Sequence, residues 1–226
     1  NGYYGSFYTD GEDSLTVRIN NPSSTANVQV TSTSGFANSG YLLIENEIIQ
    51  YTGITSNTFT GITRGIGTST AASHDVGSPV GYAQWSPANT ASTLYINVED
   101  STATNGVNLV IPNDGSVKIS HAGLYTIIFS AQIVNCGNDF DDAQIWVRVN
   151  GNNVPFSMSR STVTGTHAGE PGAYIMTVNF FYRFNANDVF DIRWQNQRGF
   201  TSIVTYGVLA GVPASPAVIL TFQQIA

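Results

Sequence analysis

Charge is what this sequence has least of. Only 10% of its 226 residues are charged, against the roughly 25% usual in soluble domains. Lys118 is its single lysine, and the formal net charge is −7. No basic run occurs, which argues against a nucleic-acid partner, because gripping a phosphate backbone needs a concentrated positive footprint. The acidic balance serves solubility and identifies no partner. Cys136 is the only cysteine, so no intrachain disulfide is available, and it reads as a small buried thiol rather than a nucleophile. No apolar stretch approaches the length of a membrane span and no signal-peptide pattern is visible, so no membrane role is expected. Helical periodicity is absent at any useful length.

What remains is apolar and patterned. Hydrophobic residues make up 42% and aromatics 12%, enough for a core, and the length suits one large β domain or a medium domain with a small module. The polar surface must come from Ser, Thr, Asn and Gln, a composition that favours strands and turns. Period-two alternation runs from end to end: Leu15, Val17, Ile19; Leu94, Ile96, Val98; Tyr125 to Ile133; Ile145, Val147, Val149; Tyr174 to Phe184; Phe190, Ile192, Trp194; and Val218, Leu220, Phe222. Such strands fit antiparallel sheets with one face on a core.

Turn signals separate them. Asn150-Gly151 predicts a hairpin into a strand starting near Val154. Asn113-Asp114-Gly115 and Ala122-Gly123 punctuate earlier strands, and Ser161 to Gly172 and Gly207 to Pro216 read as loops. The apolar residues Val208, Leu209 and Val212 in the second loop imply a cover. The style changes near Gly81, from short strands rich in Gly, Ser and Thr to longer aromatic ones. This divides the chain into an N-terminal β segment (1–24), a small β module (25–81) and a larger β domain (82–226).

Two segments carry a resemblance. Ser39-Gly-Tyr-Leu-Leu-Ile-Glu-Asn-Glu-Ile-Ile-Gln-Tyr-Thr-Gly53, then Phe59-Thr-Gly-Ile-Thr-Arg-Gly65, Gly67-Thr68, Ala71-Ala72, His74 and Gly77, resembles a small β module of tail-associated proteins of tailed phages, cyanophages especially. Tyr4-Gly-Ser-Phe-Tyr8, Ala83-Gln84-Trp85, Asn105-Gly106-Val107, Val117 to Tyr125 with its Ala-Gly-Leu-Tyr step, Ile145 to Pro155 and Asn185-Ala-Asn-Asp188 resemble the C1q/TNF-like jelly roll used in phage virion proteins. That second resemblance implies an all-β, antiparallel ten-strand jelly-roll sandwich, packed as a threefold trimer, with the small module inserted or N-terminal to it. It also implies a virion location and other virion proteins as partners.

A physical ground for self-association lies in the stretch from Tyr174 to Phe184, which is apolar on both faces. A sandwich buries one face of each sheet, so the surplus face wants a partner. Tyr174, Met176, Phe180, Phe181 and Tyr182 are the expected assembly residues.

The chemical inventory is otherwise thin. No Gly-x-Ser-x-Gly elbow, phosphate loop or His-Glu-x-x-His occurs, so no catalytic residue or cofactor is expected. Glu45 and Glu47 share a strand face and read as solvated, not as a glycosidase pair. His74 reads as a turn residue of the module, and His121 as structural. Asp139, Asp141 and Asp142 form the one calcium candidate, set against a plain solvated acidic loop. Phe200 and Tyr206, with Trp194 beside them, are candidates for contacting a host-surface glycan, though alternation makes Trp194 a core residue. The leading expectation is a non-enzymatic virion structural subunit; the alternative is a carbohydrate-binding adhesin or receptor-binding tip.

Overall fold

Period-two patterning turns into stacked antiparallel sheets. The computed structural model describes residues 2–110, 115–208 and 211–226; the expected turn at Asn113-Asp114 and Leu209 of the late loop lie outside them. The first strands are β1 (Tyr4–Tyr8), β2 (Glu12–Ser14), β3 (Val28–Gln29), β4 (Gly40–Ile44), β5 (Glu47–Tyr51), β6 (Gly53–Ile54), β7 (Thr58–Thr60) and β8 (Pro79–Trp85). Next come β9 (Ser92–Thr93), β10 (Val98–Glu99), β11 (Val107–Leu109), β12 (Val117–Ile119), β13 (Gly123–Asn135) and β14 (Asp141–Val149). The last are β15 (Asn152–Asn153), β16 (Ser159–Val163), β17 (Gly172–Phe184), β18 (Val189–Asn196), β19 (Thr201–Val204) and β20 (Val218–Gln224). Among the described residues the only helix is a 3₁₀ turn at Ile66–Thr68, and no helix is long and apolar enough to cross a membrane.

A front layer runs β10-β1-β20-β13, with β17 on the far side of β13. A back layer runs β11-β12-β18-β14, with β16 beyond β14. From β12 onward the chain passes back, front, back, front, back, front, alternating between the two layers of an antiparallel sandwich. Tyr4–Tyr8 belongs to its front layer, since Gly5 to Tyr8 pair with Phe222 to Ile219. Inward residues of both layers make the core: Phe7, Tyr125, Ile127, Ile145, Val147, Phe190, Ile192, Trp194 and Leu220 are all buried. Phe190 meets Phe222 edge-on at 5.1 Å, an arrangement that adds about 0.5–1.5 kcal/mol to area burial.

The N-terminal module is built on the same sheet. β13 outruns β20, and its last residues, Ile133 to Asn135, pair instead with β19. β19 passes to β8, β8 to β4 and β4 to β5. Residue 81, where composition changes, therefore lies inside β8. The module has its own core of Leu42, Ile44, Ile49, Tyr51, Phe59 and Val80, closed by a small sheet β3-β7-β6.

Several local expectations change. Leu15, Val17 and Ile19 do not form one strand: Leu15 bridges to Val30, Ile19 to His74, and Val17 is exposed. Leu94 to Val98 is not an alternating strand, because the chain there crosses from back to front layer and buries Leu94, Tyr95 and Ile96 alike. The Asn150-Gly151 turn does form, with φ of 52 and 78, the two positive values of a type I′ hairpin. Its second strand is the short β15, beginning two residues before Val154, whose N–H still donates to the Val147 carbonyl; the chain then leaves the sheet and re-enters as β16. Ser161 to Val163 is therefore strand rather than loop, paired with Asp141 to Ala143. Its Ser and Thr side chains suit a sheet edge that faces water on one side. In the 207–216 loop, Val208 and Val212 remain exposed rather than covered.

Candidate assembly surface and buried charge network

The expected assembly residues divide by face. Antiparallel pairing of β17 with β13 puts Met176, Phe180 and Tyr182 on the core side: Met176 is 4% exposed, and the other two pack half-buried against the core. These three, expected as assembly residues, pack into the core of their own chain first. Tyr174 also faces inward but stands at the open end of the layer and is largely exposed. Phe181 alone of the five points outward, and it is 64% exposed.

Around Phe181 lies a surface that sequence patterning does not pick out. Ile175 of β17, Ile128 of β13, Ile219 of β20 and Tyr4 and Tyr8 of β1 all stand exposed on the outward side of the front layer. Each occupies the position of its strand that alternates with the core-facing ones. Only pairing brings them together: Thr126 sits opposite Phe181, Ser130 opposite Ile219, and Tyr8 opposite Ile219. Between Tyr4 and Ile128 runs an open groove of about 640 Å³, lined also by Asn105, Thr126, Thr221 and Gln223 and by no charged side chain.

The two glutamates of the module do not behave as a solvated pair. Glu45 sits at the β4–β5 turn with φ 54, and Glu47 is 1% exposed. Arg64 donates from Nε to Glu47 Oε1 at 2.6 Å and from a terminal nitrogen to Oε2 at 2.5 Å. The N–H groups of Gly65 and Ala72 donate to the same carboxylate at 3.1 and 3.0 Å. His74, also 1% exposed, lies with Nε2 2.8 Å from Glu47 and Nδ1 3.0 Å from Glu45. It is therefore a buried bridge between two carboxylates rather than merely a turn residue. Burial works against the Glu47 charge, yet the hydrogen bonds from His74, Arg64 and Ala72 outweigh it and hold the carboxyl at about 2. For His74, burial works against the proton, and the two glutamates more than offset it, raising its pKa. A carboxylate this fully hydrogen-bonded has no lone pair free for acid–base work. The residues missed here, Arg64 and Ala72, were visible in the module pattern, but nothing in their spacing says they converge on Glu47.

The acidic loop is likewise already occupied, and it is not the solvated loop expected. Asp141 is fully buried and accepts the N–H groups of Gln197 at 3.1 Å, Arg198 at 2.8 Å, Phe200 at 2.9 Å and Thr201 at 3.2 Å. It tethers the β18–β19 turn. Asp142 takes Arg160 and the Thr162 hydroxyl, and Asp139 takes Arg198; these partners lower both pKa values. The calcium candidates thus each have separate partners, and among the described residues no group of three or more His, Cys, Asp or Glu is placed to hold a metal ion.

The glycan candidates have different surroundings. Phe200 packs over Gly137, while Tyr206 bridges to Ser215 and borders a small cavity with Glu45, Asn46 and Glu170. Burial pushes the Tyr206 hydroxyl up to about 12. Trp194 is fully buried in the core. Cys136 is buried and its thiol is pushed up to about 12 by burial, which keeps it protonated. His121 stacks on Tyr3 with ring centroids 3.6 Å apart, and so pins the N-terminal strand.

No protein-family model matches the chain, and a comparison with curated proteins finds none that matches it.

Proposed function

We propose that the protein is a non-enzymatic structural subunit of a virion, a tail fibre, appendage or capsid-decoration component, that assembles as a trimer through its front layer. The observation that carries the assembly half of this reading is the outward face bearing Tyr4, Tyr8, Ile128, Ile175, Phe181 and Ile219. Exposed apolar surface gathered on one sheet face marks an interaction site. The virion half is supported by the two sequence resemblances, which together span most of the chain. Other virion proteins would then dock on the module or loops, on the outside of the particle.

Light scattering after gel filtration tests the assembly. A particle of three times the 24.2 kDa chain mass supports the reading, and a monomer at high concentration overturns it. Detection of the chain by mass spectrometry in purified particles, or its absence, decides the virion location.

The groove beside Tyr4 supports a second reading, attachment to a host-surface glycan. An exposed aromatic ring beside neutral amides and hydroxyls suits an uncharged sugar. Glycan-array binding that is lost in Tyr4→Ala would favour it; an array without hits would remove it.

A further inference from the structure

β17 has one free backbone edge. All 13 of its residues pair with β13, from Gly123 opposite Phe184 to Asn135 opposite Gly172, without a bulge. Among the described residues no strand pairs with its other side. Natural sheets blunt such edges with lysine, proline, bulges or shortness. β17 uses none of these, and its one charge, Arg183, sits next to the last residue of the strand.

The strand is also self-complementary. Paired antiparallel with a second β17 about Val178, it places Ile175 opposite Phe181 of the second copy on the outward side, twice. On the inward side Tyr174 meets Tyr182 and Met176 meets Phe180. Thr177 meets Asn179, and Arg183 meets Ala173, so no like charges face each other. Moving the centre to Thr177 sets Ile175 against Asn179; moving it to Asn179 sets Ile175 against Arg183. Cross-strand pairs are the unit of sheet stabilisation, and only the Val178 centre matches the two large outward apolar residues.

The size fits as well. Thirteen residues at about 3.4 Å each give an edge about 40 Å long, and two layers with their side chains make it about 20 Å deep, close to the ~800 Å² per partner of a standard interface. β16 is the matching edge of the back layer.

We propose that β17 is a strand-addition site whose occupant is the β17 of a second copy, paired antiparallel about Val178. The inference rests on the chain's self-association and shares Ile175 and Phe181 with the assembly reading, but its own contact runs through the edge amides of β17, which the disulfide test reads separately.

Two sets of variants test it on the full chain. Val178→Cys places two thiols directly opposite, within the ~4.5–5.5 Å Cα separation of antiparallel partners that a disulfide spans, and the native Cys136 is buried. On a non-reducing gel Val178→Cys is expected to give a covalent dimer and Thr177→Cys, which faces Asn179, to give none. Ile175→Lys and Phe181→Glu should each abolish pairing, and the double variant, which sets Lys against Glu across the seam, should restore it. No disulfide from Val178→Cys, equal disulfide from both cysteines, or no recovery in the double variant overturns the proposal. A trimer without the disulfide leaves the front-face reading standing and removes this one. A disulfide-linked dimer that never forms trimers does the reverse, and a hexamer supports both.

Discussion

Arg64 closes on Glu47 with two parallel hydrogen bonds of 2.6 and 2.5 Å while their side chains are only 6% and 1% exposed. Planar guanidinium against planar carboxylate is the geometry in which such a pair is strongest and most directional. It fastens the β4–β5 hairpin to the segment that returns to β8. The Glu–Arg–His residues of the module pattern therefore hold the module together.

Removing one partner leaves the other charge buried. Glu47→Gln is expected to destabilise the protein by about 3–5 kcal/mol, read as a lower urea midpoint. Arg64→Lys should also destabilise, because an ammonium cannot reproduce the two-pronged contact. A midpoint unchanged in both would show that the network contributes nothing to stability.

The same network sets a pH window. Glu47 is held at about 2 against an ordinary 4.5, so its contribution is complete above 4.5 and drains as pH falls toward 2. His74 is raised above its ordinary 6.5, so its contribution is complete below 6.5 and is lost as pH rises through the folded value. Urea midpoints measured across the pH range should plateau between those two ordinary values and fall on either side. In His74→Gln the alkaline fall should disappear.

The module packs against the larger β domain at Gly67. Its φ is +62, and a Cβ there would lie 2.5 Å from Trp85 Nε1 and 2.8 Å from the Gly199 carbonyl, the donor and acceptor of a 2.8 Å hydrogen bond. Gly67→Ala is expected to cost about 1–3 kcal/mol through strain and overpacking and to shift tryptophan emission to the red as Trp85 loosens.

Trp194 fills the centre of the sandwich with no exposed surface. Trp194→Ala should lower stability by about 3–5 kcal/mol, measured by denaturant unfolding. A loss below about 1 kcal/mol would mean the layers close over the cavity, contrary to the dense packing of protein interiors.

The proposed front-face contact is apolar, so an oligomer built on it is expected to survive about 1 M salt, where the Debye length is only ~3 Å. Ile128→Glu combined with Phe181→Glu should yield monomer in the same light-scattering measurement. Dissociation of the unmodified protein by salt alone would point to charge pairs instead.

The alternation in the sequence by itself determined that the chain is all β, and it identified most inward residues correctly, from Tyr125 through Trp194 to Phe222. Burial of one strand face is a local property, written every second residue. The hairpin at Asn150-Gly151 was legible for the same reason, since two consecutive positive φ values select those residue types. What only the tertiary structure decided was which polar-phase residues become neighbours. Ile128, Ile175, Phe181 and Ile219 come from three strands far apart in sequence, and nothing in any one strand marks them as a shared surface. Taken singly, Glu47 reads as solvated and His74 as a turn residue, and Arg64 carries no signal of its own. Buried together they form a charge network, because the cost of removing each charge from water is offset only by the others, a condition set by distance in space and not by position in the chain.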